Sequence, residues 1–234
     1  MGARHRKRRA EKSKNAQQST TDESNVMDDA KTVTVAVHQL FERYANKPAD
    51  NLGPDRIGPH GVFALLEDLG LAPTDRKVLI LAWLLKAKIQ CEFTADEWNY
   101  GLVALRVVSI DDLRMVLEKE ERILEKDTSK LKALYRFTYT FGKPEHHRKM
   151  DCETAIVYWK ILFEDRYALL DVWISFLRVQ QIDAIKSDIW NLVLEFFEQV
   201  DANLSNYDDE AAWPVLLTDF VEHIRKEKCT VGTA

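Results

Sequence analysis

The sequence predicts an all-α fold, formed as a single helical domain over residues 31–230 between short tails at 1–30 and 231–234. From Ala30 onward, apolar residues recur at the three- and four-residue spacing of one helix face. Residues that cap helices stand before several of these segments. Alternating patterns typical of strands are almost absent, and no internal repeat at a fixed period is visible.

The first three helices follow from apolar periodicity. The first closes with Leu40, Phe41 and Tyr44. The second ends at Gly70, because glycine readily takes the left-handed conformation found after a helix. Its apolar positions are Val62, Phe63, Leu65, Leu66 and Leu69. The third is predicted over residues 74–89; it is apolar nearly all round at residues 78–85, so we expect it to be central and buried on most sides.

Capping residues mark the later helix starts. Thr94 with Glu97 forms a capping box, and Ser109 with Asp112 resembles a second one before a helix that runs to about Lys126. Further helices are predicted at residues 129–142, 152–163, 167–180 and 188–200, and together they should form a helical bundle.

The last helix is predicted over residues 213–228, since Pro214 suits a first turn whose N–H groups have no partner. Its apolar face is predicted to hold Val215, Leu216, Phe220, Val221 and Ile224. The other side carries Thr218, Asp219, Glu222 and Arg225. Together with the acidic turn at residues 208–210, this side predicts a surface that meets a basic partner.

Two loops near the N-terminus have the helix–loop–helix spacing of EF-hands. If Ile57 fills the eighth loop position, Asp50 is first, but Leu52, Pro54 and Gly61 occupy the third, fifth and twelfth places. Aligning Phe93 in the same way makes Glu97 twelfth, and it places Lys86, Lys88 and Gln90 at the first, third and fifth positions. Calcium needs several anionic oxygens at these places. We therefore expect an EF-hand-like pair that serves as scaffolding and binds no metal.

Charge is unevenly distributed. Residues 1–14 hold seven Lys or Arg and one Glu, whereas the other 220 residues carry 26 basic and 37 acidic side chains. An acidic body of this kind repels a nucleic-acid backbone, so we expect no nucleic-acid partner. The cluster at residues 4–9 fits a nuclear-import signal or an unspecific solvated tail. Three widely spaced cysteines, with no membrane span or secretory signal, predict a protein of the nucleus and cytoplasm.

No catalytic constellation, cofactor motif or metal-ligand spacing is apparent. His146 and His147 lie in a polar loop, where solvent exposure is the default. Asp208, Asp209 and Glu210 precede a helix start, so capping or surface charge accounts for them better than acid–base catalysis. We expect a protein that is not an enzyme, needs no cofactor and has no catalytic or metal-binding residue.

Several segments resemble the potentiating neddylation domain of the defective-in-cullin-neddylation proteins. In the C-terminal part these are residues 204–208, 212–216 and 219–222; in the N-terminal part they are Ile57-Gly58 with Gly61, residues 81–83, and residues 90–93 with Trp98. The resemblance covers about residues 35–228. It implies a scaffold-type co-ligase, which holds a cullin and a charged conjugating enzyme together so that the modifier Nedd8 passes to the cullin. The alternative is a helical adaptor that binds another basic protein through its acidic C-terminal end.

The resemblance implies two binding surfaces. We also expect a monomer that binds no membrane. One surface meets the C-terminal winged-helix region of a cullin, at positions matching Asp188, Ala212, Thr218 and the adjacent Asp219. Thr218 departs from the family pattern, which has an acidic residue there. The other is an apolar pocket for the acetylated N-terminus of the conjugating enzyme. Its matching positions are Val62, Val78, Leu81, Ala82, Gln90, Phe93, Phe141, Ile161 and Phe163. Gln90 stands out as the polar member, suited either to bond a peptide or to cap a turn.

Overall fold

The computed structural model describes residues 30–163 and 166–231, which hold ten helices and four two-residue strands. The predicted all-α class is confirmed. Ala30 already belongs to the first helix and Val231 to the last, while the basic segment and residues 232–234 lie outside the described part. Within that part, no helix combines the length and hydrophobicity that crossing a bilayer requires.

The elements follow one another with short connections. In the N-terminal half they are α1 (residues 30–44), β1 (Arg56–Ile57), α2 (Pro59–Leu69), α3 (Arg76–Leu84), β2 (Phe93–Thr94), α4 (Ala95–Leu105) and α5 (Ile110–Lys126). In the C-terminal half they are α6 (Thr128–Gly142), β3 (Met150–Asp151), α7 (Cys152–Phe163), α8 (Leu170–Val179), β4 (Ala184–Ile185), α9 (Ser187–Gln199) and α10 (Val215–Val231).

The chain divides into two compact units. The first comprises the residues up to Leu71 together with 84–87 and 91–118, and the second comprises 72–83, 88–90 and the chain from Lys119 onward. Thus α3 lies almost wholly in the second unit, and α5 begins in the first unit and ends in the second. The domain limits expected at residues 31 and 230 stay a prediction.

The first unit is organised around Trp98, which is fully buried. Phe41, Tyr44 and Phe93 surround its ring at centroid distances of 6.2, 6.3 and 6.3 Å. The indole nitrogen donates a hydrogen bond to the Val37 carbonyl at 3.2 Å, so the one polar atom of the side chain is satisfied within the core. These contacts join α1, β2 and α4.

The two loops aligned with EF-hands are joined by the antiparallel strands β1 and β2, in which Ile57 pairs with Phe93. Gly61 is required beside this ladder, because a Cβ atom there would clash with the Tyr44 carbonyl oxygen. A second pair of helix–strand–helix segments occurs in the second unit, where Met150 of β3 pairs with Ile185 of β4. The two pairs of helix–strand–helix segments share a backbone arrangement but not their residues. For this reason no repeat is visible in the sequence.

The second unit has an aromatic core. The Trp190 ring stacks on Tyr135 at 4.5 Å and on Trp159 at 5.1 Å, and Trp173 meets Trp159 edge-on at 5.9 Å. The Tyr135 hydroxyl donates to the Trp190 carbonyl at 2.5 Å and accepts from the Trp159 indole nitrogen at 2.8 Å. Rings and hydrogen bonds therefore hold α6, α7, α8 and α9 together.

Two sequence-based expectations for helix bounds and faces are wrong in part. The third helix ends at Leu84 and not at Ile89, because Lys86 adopts a left-handed backbone with φ 55° and turns the chain toward β2. Its residues 79–82 are buried, but Val78, Trp83 and Leu84 are only half-buried. In α10, Val215 is 74% exposed and does not belong to the apolar face.

Candidate functional site

The outer face of α10 carries the residues matched to a cullin site. The Pro214 carbonyl accepts hydrogen bonds from the N–H groups of Leu217 and Thr218, which starts the helix. Val215, Thr218, Asp219 and Glu222 stand at the i, i+3, i+4, i+7 spacing of one face. We call these four residues the outer face. Ala212, just before the helix, is also exposed.

The opposite side of α10 fixes the helix in the second unit. Leu217, Phe220, Val221 and Ile224 are buried there. The Phe220 ring lies 5.0 Å from Trp173 and 6.0 Å from Phe196. Because Thr218 and Asp219 directly precede Phe220, the outer face is held on a rigid support.

Within the outer face, the polar groups differ in availability. Asp219 and Glu222 are exposed, whereas Thr218 is half-buried and its hydroxyl donates to the Val215 carbonyl at 2.8 Å. Glu222 lies 3.5 Å from Lys226 one turn further on. An apolar Val215 next to exposed carboxylates gives a surface suited to a basic partner that also has an apolar contact.

The acidic turn before α10 is partly neutralised within the chain. The two terminal guanidinium nitrogens of Arg225 donate hydrogen bonds to the Asp209 carboxylate, at 2.8 and 3.1 Å, and this pairing holds the pKa of Asp209 below its usual range. Asp208 accepts a hydrogen bond from the Glu210 N–H at 2.9 Å. The turn is therefore tied to the middle of α10, and Asp209 is not a free charge for a partner.

Asp188 lies on another helix. It is the second residue of α9, is exposed, and accepts a hydrogen bond from the Ile189 N–H at 2.9 Å. An acid in the first turn also interacts favourably with the helix dipole. Phe196, which packs on Phe220, is about 12 Å further along the α9 axis. The structure thus brings Ala212, Thr218 and Asp219 together at the start of α10. Asp188 lies about 12 Å along the α9 axis from the contact between α9 and α10.

The nine positions matched to a conjugating-enzyme pocket differ in exposure. Five are buried core residues: Val62, Leu81, Ala82, Phe93 and Phe163. Val78, Phe141 and Ile161 are half-buried, and Gln90 is exposed. Val62 and Phe93 belong to the first unit and the other seven to the second.

Gln90 contacts another of these residues. Its side-chain nitrogen donates a hydrogen bond to the Phe141 carbonyl at 3.3 Å. Phe141 is in the last turn of α6, where backbone carbonyls have no partner within the helix. Gln90 therefore acts as a helix cap, as the capping alternative expected, while its amide oxygen and second N–H remain for a bound peptide.

In the two loops aligned with EF-hands, the carboxylates accept hydrogen bonds from backbone N–H groups at helix starts. Asp50 accepts hydrogen bonds from the N–H of His60 at 2.9 Å and of Gly61 at 3.3 Å, at the start of α2. Glu97 accepts from the Thr94 N–H at 2.9 Å in the predicted capping box of α4. Among the described residues no group of three or more His, Cys, Asp or Glu side chains could hold a metal ion.

The structure also locates the histidines and one cysteine. His146 and His147 lie in an exposed loop between α6 and β3. Cys152 is buried, and burial raises the pKa of its thiol to about 11. A thiol with this pKa is protonated at neutral pH and is a poor nucleophile.

The chain is similar to known proteins over most of its length. A family model described as Cullin binding matches residues 112–223. Defective in cullin neddylation protein 1 of Caenorhabditis elegans is 39% identical over 210 residues, which cover 81% of this chain and 71% of that protein. DCN1-like protein 3 of Drosophila melanogaster is 37% identical over 188 residues, covering 80% of this chain and 56% of that protein. DCN1-like protein 5 of Homo sapiens is 35% identical over 171 residues, covering 73% of this chain and 72% of that protein.

These similarities agree with the segments that carry the resemblance in the sequence. The family match begins in α5 and ends in α10, so it includes Asp188, Ala212, Thr218 and Asp219. The chain belongs to the DCN1-like family of defective-in-cullin-neddylation proteins.

Proposed function

We propose that this protein acts in cullin neddylation as a scaffold that binds a cullin through the outer face of α10 and the start of α9. Family membership and the cullin-binding match over residues 112–223 support the pathway and the partner. The observation that carries the assignment is the exposure of Asp219 and Glu222 beside Val215, on a helix whose other side is fixed in the core.

The charges of this surface favour a basic partner. Asp188, Asp219 and Glu222 present exposed carboxylates, and such groups form strong, charge-assisted hydrogen bonds with arginine and lysine. Thr218 supplies a hydroxyl where a carboxylate would add one more such bond. We therefore expect the cullin to bind more weakly to this chain than to its Thr218→Asp variant.

The second partner of the scaffold is a Nedd8-conjugating enzyme with an acetylated N-terminus. Val78, Phe141 and Ile161 offer partly exposed apolar surface, and Gln90 offers an amide that is already oriented by Phe141. Acetylation favours binding because a free ammonium group would have to lose its hydration on entering an apolar site. Holding the two reactants together lowers the barrier without a catalytic residue of the scaffold itself.

The first test measures binding of a purified cullin C-terminal fragment by calorimetry. Asp188→Lys should weaken binding at least tenfold, about 1.4 kcal/mol, and Thr218→Asp should strengthen it about threefold. Asp171→Lys is the matched control, because Asp171 is also an exposed second residue of a helix, α8. Equal losses in both lysine variants would show a general charge effect and would contradict the assigned surface.

The second test measures the rate of modifier transfer from the charged conjugating enzyme to the same cullin fragment. Wild-type protein should accelerate transfer, and Asp188→Lys should abolish the acceleration. Gln90→Ala should reduce it without changing cullin affinity, since Gln90 belongs to the other surface. Cullin binding without any acceleration would support an adaptor and not a co-ligase. A protein that binds neither the cullin nor the conjugating enzyme would refute the proposed function.

A further inference from the structure

The segment that joins α9 to α10, residues 200–214, contains a serine followed by a run of acids. The segment belongs to the second unit and forms neither helix nor strand. Asp208 and Asp209 stand three and four positions after Ser205, and Glu210 follows them. The serine and the three acids are all exposed. The hydroxyl is therefore accessible to an enzyme that also contacts the negative charges behind it.

Helix capping explains this spacing elsewhere in the chain, but not at Ser205. In the described part, an acid also follows Thr94 and Ser109 by three positions, as Glu97 and Asp112. Both pairs lie at helix starts: the Glu97 N–H donates to the Thr94 hydroxyl at 3.2 Å, and the Asp112 N–H donates to the Ser109 hydroxyl at 3.1 Å. Thr94 and Ser109 are also half-buried. Since no helix begins at Ser205, its acids have no capping role toward it.

The surroundings of the Ser205 hydroxyl can accommodate an added group. The hydroxyl donates a hydrogen bond to the Asp201 carboxylate at 2.8 Å, and the Ser205 N–H donates to the Asn203 side-chain oxygen at 3.1 Å. Asp201, Asn203 and Ser205 are all exposed, so a group on the hydroxyl oxygen extends into solvent and replaces one surface hydrogen bond. The same group on Ser109 would disrupt a capping box.

Asp208 carries the most available charge of the acidic run. It accepts a hydrogen bond from the Glu210 N–H at 2.9 Å, and no lysine or arginine of the described residues pairs with it. Asp209, by contrast, is bonded to Arg225. Protein kinases select substrates by the charge pattern near the reacting hydroxyl. A carboxylate at this spacing suits a kinase with a basic substrate cleft.

We propose that Ser205 is a phosphorylation site for a protein kinase whose basic substrate cleft binds Asp208. The Ser205 oxygen attacks the γ-phosphorus of ATP; an oxygen–phosphorus bond forms while the bond from the γ-phosphorus to the β–γ bridging oxygen breaks, and ADP leaves. The hydroxyl proton passes to the catalytic aspartate of the kinase. The phosphate adds a charge of about −1.5 to −2 beside Asp201, in the segment that leads into α10.

The test measures phosphate transfer from ATP to the full-length protein by a purified serine kinase that prefers acidic substrates, with sites mapped by tandem mass spectrometry. Ser19 and Thr20 also precede acids by three positions, so every protein tested carries Ser19→Ala/Thr20→Ala. Ser205→Ala should lower total incorporation at least tenfold. Asp208→Asn should lower the initial rate at Ser205 at least fivefold, because the asparagine oxygen can still accept the Glu210 N–H and only the charge is removed.

The matched control, Asp183→Asn, removes the same charge from another exposed loop, between α8 and β4. Its rate should stay within twofold of the parent protein. A kinase that prefers basic substrates should phosphorylate Ser205 at least tenfold more slowly, each rate being taken relative to that kinase's own peptide substrate. Absence of phosphate at Ser205, equal losses in Asp208→Asn and Asp183→Asn, equal relative rates with the two kinases, or phosphorylation of Ser109 as fast as Ser205 would overturn the proposal.

Discussion

Removing one hydroxyl from the aromatic core provides a quantitative test of how the second unit is held together. The Tyr135 side chain is 1% exposed, and burial raises its pKa, so the hydroxyl is protonated and donates to the Trp190 carbonyl. The same oxygen accepts the indole N–H of Trp159. Tyr135→Phe keeps the ring stacked on Trp190 and removes only these two hydrogen bonds.

The expected loss of stability depends on whether each hydrogen-bond partner of the Tyr135 hydroxyl keeps another hydrogen bond. The Trp190 carbonyl lies inside α9 and still has its acceptor role in the helix, whereas the Trp159 N–H, which is buried, loses its partner. An unsatisfied buried donor costs about 1–3 kcal/mol. In a protein of this size, each kcal/mol lowers the melting temperature by about 2–4 °C. The free energy of unfolding should be measured by urea titration with tryptophan fluorescence and circular dichroism.

Tyr167 offers a matched control in the same core. Its ring also packs on neighbours, Phe163 at 4.9 Å and Phe197 at 5.4 Å, but its buried hydroxyl makes no hydrogen bond of normal length and angle among the described residues and interacts only weakly with the exposed Arg166 side chain. Tyr167→Phe should therefore leave stability unchanged or raise it. If the two variants lost the same free energy, or if Tyr135→Phe cost less than about 0.5 kcal/mol, the role assigned to this hydrogen-bond network would be wrong.

Three further predictions concern the N-terminal half. Although burial alone raises the pKa of Asp50, hydrogen bonds from His60 and Gly61 outweigh it and lower the pKa. Stability from Asp50 is therefore present above its unfolded pKa, about 4, and is lost as pH falls, so acid unfolding of Asp50→Asn should show a flatter pH dependence below about pH 4. Gly61→Ala should lower stability by about 1–3 kcal/mol in thermal unfolding, because its Cβ would clash with the Tyr44 carbonyl. Calorimetry with calcium should detect no micromolar binding, since Asp50 and Glu97 cap helices; micromolar affinity would contradict the scaffold assignment of these loops.

Most helices could be predicted from the sequence because their signals are local. The capping box of Thr94 and Glu97 occurs as expected, and the predicted helix at residues 152–163 matches α7. The end of the third helix could not be predicted, because apolar periodicity does not indicate the left-handed backbone at Lys86 that ends the helix early. The strand pairs were not predictable either, since each strand has only two residues and depends on a partner far away in the sequence.

Placement of the candidate surfaces depended more on tertiary structure. A basic partner for the acidic C-terminal end followed from composition, but the pairing of Asp209 with Arg225 joins residues 16 positions apart and removes one of the expected free charges. The exposed position of Val215 could have been found from its spacing to Thr218, Asp219 and Glu222, which is that of one helix face. Apolar residue type alone placed it on the buried side.

Buried members of a binding site are difficult to recognise from sequence, because they have the same residue types as the core. Leu81 and Phe163 are 1% exposed, so their conservative replacement would change packing whether or not a peptide binds nearby. Gln90, by contrast, is exposed and contributes to the core only through one capping hydrogen bond. A loss of conjugating-enzyme binding in Gln90→Ala, at unchanged stability, would therefore report on the surface itself, whereas the same loss in a core variant would not separate binding from folding.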